Sequence, residues 1–178
     1  MNLQLQDKTA LVTGASQGIG RAIAKGLAAE GVQTCIVARR KNLLEELSAE
    51  ILAAGGKAPK IVVIDVMEPD AATRLAAAAE QALGKIDILI NSAGGSKPAI
   101  HVDAPDSAWE ESMTLNFVRV RQLTHAVLPG MMQRKWGRVI NISGKSEPER
   151  LLTATSAKAA IHRSEEHTSE LQSHLNLV

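Results

Sequence analysis

The chain contains few of the side chains on which several common kinds of site are built. Its 178 residues include one cysteine and no tyrosine, so no phenol is available as a general acid or base. The single cysteine, Cys35, lies in a strand-like apolar run, where we expect a buried, inert thiol rather than a nucleophile or a ligand. The five histidines show no ligand spacing with cysteines or carboxylates, so the sequence predicts no metal.

The chain also has almost no net charge and no long apolar run. The formal net charge is +1, with no basic stripe, which argues against binding to nucleic acid or to a membrane surface. No apolar run approaches the roughly 20 residues that a membrane span needs, and the first residues do not resemble a signal peptide. These two features predict a cytoplasmic location. With 45% hydrophobic residues the chain can bury one core, so we also expect one domain.

Apolar runs alternate with stretches of helical periodicity. The predicted strands are Ala10–Thr13, Gln33–Val37, Lys60–Val66, Ile86–Asn91 and Arg138–Ser143, and the predicted helices are Ile19–Glu30, Lys41–Ala54, Pro69–Leu83 and Asp106–Lys135. This order is typical of β-α units on a parallel sheet, and continuously apolar strands indicate that helices cover both faces. The sequence therefore predicts an α/β fold, a doubly wound, Rossmann-like sheet of about five strands, with its ligand at the carboxyl ends of the strands.

The first strand ends in a glycine-rich turn that leads directly into a helix. Gly14 allows a tight turn, Gly18 lets the backbone approach a pyrophosphate, and Gly20 lets the helix lie close to its strand. The N–H groups of the new helix would then face the phosphate. An ordinary glycine-rich turn is the alternative, because short glycine patterns occur by chance.

Further motifs follow this turn in a fixed order. Asn91-Ser92-Ala93-Gly94 follows an apolar run, Asn116 lies in a Leu-Asn-Phe context, and Lys158 lies in Ser-Ala-Lys-Ala-Ala. Together with the glycine spacing, these motifs resemble the short-chain dehydrogenase/reductase family from about Lys8 to Ile161. The resemblance implies an oxidoreductase that transfers hydride between the nicotinamide of NADP(H) and a small-molecule substrate, a carbonyl or secondary alcohol.

The resemblance also implies a role for each matching residue. Those on the cofactor side are Gly14, Ser16, Gly18, Ile19 and Gly20 at the pyrophosphate, Asp65 and Val66 at the adenine, and Asn91, Ala93, Gly94 and Lys158 at the ribose. On the catalytic side, Asn116 would hold a proton-relay water and Lys158 would act electrostatically. Ser143 is the candidate for the family's substrate-binding serine, although that serine would normally fall at Gly144. Asn116 as a satisfied polar residue in a helix kink, and Lys158 as a solvated lysine, remain open alternatives.

The residues after the second strand indicate which dinucleotide is bound. An NAD-preferring site usually carries an acidic residue there, whereas this chain has Ala38, Arg39 and Arg40. Arg39 can bind a 2′-phosphate bidentately, so we expect NADP(H), with NAD possible. The alternative is that both arginines form a solvated helix start, and Gln17 occupies a position that is often basic in NADP-preferring relatives.

The catalytic pattern departs from the family at one position. The family places its acid-base tyrosine four residues before the lysine, and this chain has Ala154 there. The neighbouring hydroxyls of Thr153, Thr155 and Ser156 are far weaker acids than a phenol. Enzymatic activity is therefore uncertain, and a non-catalytic dinucleotide-binding sensor or scaffold is the alternative function.

Two expectations concern the whole protein. Residues 163–173 match one reading frame of a common sequencing adapter, so we expect an incomplete NAD(P)-binding domain at 1–162 and an artefactual tail at 163–178. A third possibility is then that the chain, in the form given, is a sequencing product without a biological role. The helix predicted within 116–135 carries more apolar side chains than one sheet face needs, and in relatives it pairs with a partner, so we expect a homo-oligomer.

Overall fold

A computed structural model describes residues 3–95, 104–143 and 153–161. The strands are β1 (Thr9–Thr13), β2 (Gln33–Ala38), β3 (Lys60–Val63), β4 (Ile88–Asn91) and β5 (Arg138–Asn141). The helices are α1 (Gly18–Ala29), α2 (Lys41–Ala53), α3 (Ala71–Leu83), α4 (Asp106–Met113) and α5 (Arg119–Gln133), with a π-helical turn at Thr114–Val118 and a further helix at 153–161. The expected tail at 163–178 and Gly144 lie outside the described residues.

All described strands form one parallel sheet in the order β3-β2-β1-β4-β5. The chain winds outward from β1 through β2 to β3, crosses back, and winds the other way through β4 to β5. The order therefore reverses between β1 and β4, which is where doubly wound sheets bind ligands. The predicted α/β fold is confirmed.

The core has two layers because successive residues of a strand point to opposite faces. Leu11, aligned with Cys35 and Leu89, belongs to the layer that packs under α3 and α5. Its neighbour Val12 faces the other way, into the layer that packs under α1 and α2. Helices on both faces explain why these central strands are apolar throughout.

Three strands are shorter than the sequence predicts. The ladder between β2 and β3 ends with Ala38, whose carbonyl accepts the Ile64 N–H at 3.2 Å, so Asp65 and Val66 follow the strand instead of continuing it. At the start of β4, the Asp87 carboxylate accepts the Thr9 N–H at 3.1 Å and departs from the regular ladder pattern. These shorter strands place polar residues in the loops at each end of the sheet.

The predicted helix Asp106–Lys135 is wrong as a single element. The π-helical turn interrupts it between α4 and α5, and Pro129 is accommodated inside α5. The turn carries Asn116, whose side chain is buried. Hydrophobic periodicity could not show this, because a π turn inserts one residue without ending the helix.

Cys35 is fully buried in β2, and burial raises the pKa of its thiol to about 12. Because the thiolate is the reactive form, alkylation by iodoacetamide at pH 8 is expected to be negligible in the native chain and rapid in urea. Mass spectrometry of the alkylated chain, with and without urea, measures this difference. Equal rates in both conditions would contradict the buried position of Cys35.

Within the described ranges, no helix is long and apolar enough to cross a membrane. Nor do these ranges contain a group of three or more histidine, cysteine or acidic side chains that could hold a metal ion.

Candidate active site

The glycine-rich turn has a backbone that other residues could not adopt without strain. Gly14 has a φ of +65°, and a Cβ there would lie 2.7 Å from the Ser92 carbonyl oxygen. At Gly20 a Cβ would lie 2.6 Å from the Gly14 carbonyl oxygen, so only glycine lets α1 pack this closely on the turn. Gly18 also has a positive φ, of +59°, but the space beside it is open. The turn therefore presents bare backbone to a ligand at this point.

The amino end of α1 is not capped by a side chain. The helix begins at Gly18, and the preceding Gln17 makes no side-chain capping hydrogen bond. The first N–H groups of a helix have no partner within it and carry the positive end of its dipole. Together with the open space beside Gly18, this end of α1 can bind a phosphate. Ile19, in its first turn, is 60% exposed.

Thr13 connects this turn to the neighbouring strand. Its buried hydroxyl donates to the Ile90 carbonyl at 3.2 Å and accepts the N–H groups of Ser92 and Ala93, each at 3.0 Å. The loop after β4 is thereby fixed beside the turn after β1. The sequence places this threonine only at the end of the first predicted strand, and no motif indicates its contacts with the loop after β4.

The two arginines after β2 make different contacts. The Arg39 guanidinium lies 3.6 Å from the Asp65 carboxylate, and its side chain is 73% exposed. Arg40 instead donates to the Gln17 side-chain oxygen at 2.7 Å and to the Ser16 hydroxyl at 3.2 Å. A guanidinium therefore lies beside position 17, where the sequence itself lacks a basic residue. Arg40 was missed as a candidate because only Arg39 matched the expected position.

Asp65 uses its carboxylate locally. One oxygen accepts the Met67 N–H at 2.9 Å, and the other faces Arg39. This arrangement fixes the first turn of the loop after β3 and keeps Val66 beside Thr13 and Asn91, with which it lines a shallow cleft. The structure thus brings the predicted adenine-side residues to the same edge of the sheet as the glycine-rich turn.

An amide cluster occupies the carboxyl ends of β4 and β5. The buried Asn91 side chain donates to the Asn141 side-chain oxygen at 2.8 Å and to the Thr124 hydroxyl at 3.2 Å. Asn141 is aligned with Asn91 on the adjacent strand, so the cluster follows from strand register. The residue pattern alone did not predict the roles of Asn141 and Thr124, because their proximity depends on the fold.

Asn116 has a defined set of partners in the π-helical turn. Its side-chain nitrogen donates to the carbonyls of Ser112 and Gly95, each at 3.0 Å, and its side-chain oxygen accepts the Gly95 N–H at 3.1 Å. Both amide hydrogens are therefore used within the chain. A relay water at Asn116 would have to bind a carbonyl oxygen instead.

The predicted catalytic residues Asn116, Ser143 and Lys158 line one cleft. It is lined by Asn91, Ala93, Gly94, Asn116, Val120, Asn141, Ile142, Ser143, Lys158 and Ile161. A Cβ on Gly94 would lie 2.9 Å from the Asn116 side-chain oxygen and 4.0 Å from the Lys158 Cε, which shows how closely these elements approach. Ala154 is only 4% exposed and is not part of the lining.

Comparison with known proteins gives a consistent result. The family model described as short chain dehydrogenase matches residues 8–175. A short chain dehydrogenase of Pseudocercospora fijiensis is 43% identical over 165 residues, which cover 90% of this chain and 53% of that protein. An uncharacterized oxidoreductase of Staphylococcus saprophyticus is 34% identical, with 90% of this chain and 70% of that protein covered.

Solved structures agree with the sequence comparisons. A metagenomic short-chain oxidoreductase, crystallised in complex with NADP, superposes with a TM-score of 0.91 at 29% identity, covering 97% of this chain and 80% of that one. The chain belongs to the short-chain dehydrogenase family. It spans about half the length of the Pseudocercospora relative.

Proposed function

We propose that this chain forms the NADP(H)-binding part of an oxidoreductase that transfers hydride between the cofactor and a carbonyl or secondary alcohol. The observation that carries the proposal is that the glycine-rich turn and the cleft around Asn116 and Lys158 lie at one edge of the sheet, fixed together by Thr13. The NADP complex of the metagenomic relative supports the choice of cofactor. The exposed arginines after β2 support it independently.

The residues of the site fit such a cofactor. The turn at Gly14–Gly20 and the start of α1 would hold the pyrophosphate, and Asp65 and Val66 would border the adenine. When bound, the nicotinamide supplies or accepts the hydride at its C4 atom. Asn91, Ala93, Gly94 and Lys158 would hold the ribose, and the Lys158 ammonium would stabilise negative charge that develops on the substrate oxygen. Ser143, which lines the same cleft, would orient that oxygen.

A second function is favoured by a specific observation. The position that the family reserves for tyrosine holds Ala154, which is buried, and the chain contains no tyrosine. A dinucleotide-binding sensor or scaffold would need the cradle but no proton donor. The two functions differ in whether bound NADPH ever transfers its hydride.

The chain is expected to bind NADPH saturably but to reduce no simple ketone, because an alkoxide product requires a proton that neither Ala154 nor an aliphatic hydroxyl supplies. An electron-poor quinone, whose reduced form is a far weaker base, should still oxidise NADPH slowly. Cofactor fluorescence measures binding, and loss of NADPH absorbance measures turnover. Binding without any quinone reduction would favour the sensor or scaffold, and failure to bind NADPH would contradict both functions.

Adding the missing phenol at Ala154 is expected not to restore ketone reduction, since Ala154 is only 4% exposed and a tyrosine there would be overpacked. Ser156→Tyr is the control, because Ser156 is exposed on the same helix and tests whether a tyrosine is tolerated there. The measured quantity is the rate of NADPH oxidation with a cyclic ketone. Brisk turnover by Ala154→Tyr would show that the cleft reaches this position.

We further propose that the protein acts as a homo-oligomer through α5 and the preceding turn. Phe117, Val118 and Leu128 are only half-buried there, and Met132 is exposed. Apolar surface of this kind on one helix fits a self-complementary interface. The cytoplasmic location and the lack of a nucleic-acid partner stay predictions from the sequence.

A further inference from the structure

Arg119, the first residue of α5, reaches across to the loop that follows β3. Its guanidinium donates to the Met67 carbonyl at 2.9 Å and to the Pro69 carbonyl at 3.1 Å. It is steadied on its own helix by Gln122, whose side-chain oxygen accepts a third hydrogen bond at 2.7 Å. A single side chain therefore holds two consecutive turns of a loop that is about 50 residues away in sequence.

The Arg119 guanidinium binds neutral acceptors, and one of its buried donors has no partner among the described residues. The three oxygens that it binds belong to two backbone carbonyls and one amide, and its Nε is buried without a hydrogen-bond partner. A buried donor without a partner lowers stability. The planar, permanently charged guanidinium can reach both carbonyls at once, which a lysine cannot do equally well. Arg119 therefore holds the loop through two hydrogen bonds even though its Nε is left without a partner.

The loop that Arg119 holds begins with Asp65 and Val66, which would border the adenine. Arg119 and Val66 also line one cleft together with Asn91 and Ala93. Three residues before Arg119, Asn116 holds Gly95 on the other side of the site. The same short segment of chain is thus bonded to both ends of the candidate cofactor cleft.

We propose that Arg119 is a positioning residue, which fixes the loop after β3 against α5 and so sets the affinity of the chain for the adenosine end of its dinucleotide. The inference rests on the proposed function, since it assigns the adenine to this loop. Arg119 bonds to the loop at Met67 and Pro69, just after Asp65 and Val66, and it lines the cleft together with Val66.

The test compares Arg119→Met and Arg119→Lys with Arg121→Met, which removes an exposed arginine two residues along. Arg119→Met should weaken the binding of adenosine 2′,5′-bisphosphate about tenfold, which corresponds to about 1.4 kcal/mol, and leave that of nicotinamide mononucleotide unchanged. Arg119→Lys should recover part of the loss, and Arg121→Met should bind like the unaltered chain. Hydrogen exchange at the Met67 and Glu68 amides, whose N–H groups bond to Asp65, should accelerate in Arg119→Met.

Equal losses of affinity for both fragments, or no loss for either, would overturn the proposal, because both results exclude a local effect on the adenosine end. The Arg119→Lys variant provides a second test if Arg119→Met fails to fold, since lysine keeps the positive charge and most of the aliphatic side chain. If the unaltered chain binds neither fragment, the proposed function fails on its own account. Hydrogen exchange in Arg119→Met still tests the contact between Arg119 and the loop in that case. Acceleration confined to residues 65–70 supports loop positioning by Arg119, and unchanged exchange overturns it.

Discussion

Replacing Arg39 with alanine is expected to weaken NADPH binding by about thirty-fold and to leave NADH binding unchanged, since only NADPH carries a 2′-phosphate. Such a loss corresponds to about 2 kcal/mol, typical of one charge-assisted bidentate contact. Arg40→Ala should act in the same direction, because Arg40 lies beside Gln17 at the glycine-rich turn. The double variant should bind both dinucleotides equally, as measured by titration of cofactor fluorescence.

The matched control is Lys25→Ala. It also removes one positive charge, but Lys25 lies further along α1 and pairs with Glu50 at 3.1 Å. A similar loss of NADPH affinity in this control would mean that net charge, and not contact, sets the preference. If the double variant keeps the full preference for NADPH, the arginines only form the solvated start of α2.

Two glycines of α1 should respond in opposite ways to the same substitution. Gly20→Ala is expected to lower the free energy of unfolding by about 1–3 kcal/mol, because the new Cβ would lie 2.6 Å from the Gly14 carbonyl oxygen and must displace the backbone. Gly26→Ala meets nothing within 4 Å, so it should gain up to about 1 kcal/mol from helix propensity alone. Urea unfolding of the two variants measures both changes.

Because both substitutions add one methyl group to one helix, their difference isolates the close approach of α1 to the turn. Gly20→Ala should also weaken NADPH binding, whereas Gly26→Ala should not. A Gly20→Ala chain as stable as Gly26→Ala would show that the turn can relax, and the tight helix-strand contact would lose its role in shaping the phosphate site.

The sequence predicted the order of strands and helices because their apolar patterns are local. The runs around Leu11 and Leu89 are apolar on both faces, and the sheet buries them on both faces. Where the pattern failed, the deciding interaction was distant in sequence. The end of β3 depends on the length of β2, and the break in the predicted helix at Asn116 depends on the Gly95 loop.

The candidate site was predictable where residue type alone defines a role. The glycines, Asn116 and Lys158 carry a motif; the structure places the glycines in the turn after β1 and lines one cleft with both Asn116 and Lys158. Arg40, Thr13 and Asn141 carry no motif of their own, since each acts through a partner that only the fold brings near. The sequence likewise could not predict that Ala154 is buried and does not line the cleft, because both depend on how its helix packs.

The π-helical turn determines which deletions this segment can accept during evolution. It holds one residue more than a regular helix of the same rise, so deleting Thr114 or Leu115 would return the segment to a regular helical turn and would leave α4 and α5 in about their present orientation. Asn116 would then lie three residues after Ser112 instead of four. Such a deletion keeps the two helices in place but removes the turn that carries Asn116. A one-residue gap at this point in a homologous sequence therefore marks an active site built without the π-helical turn.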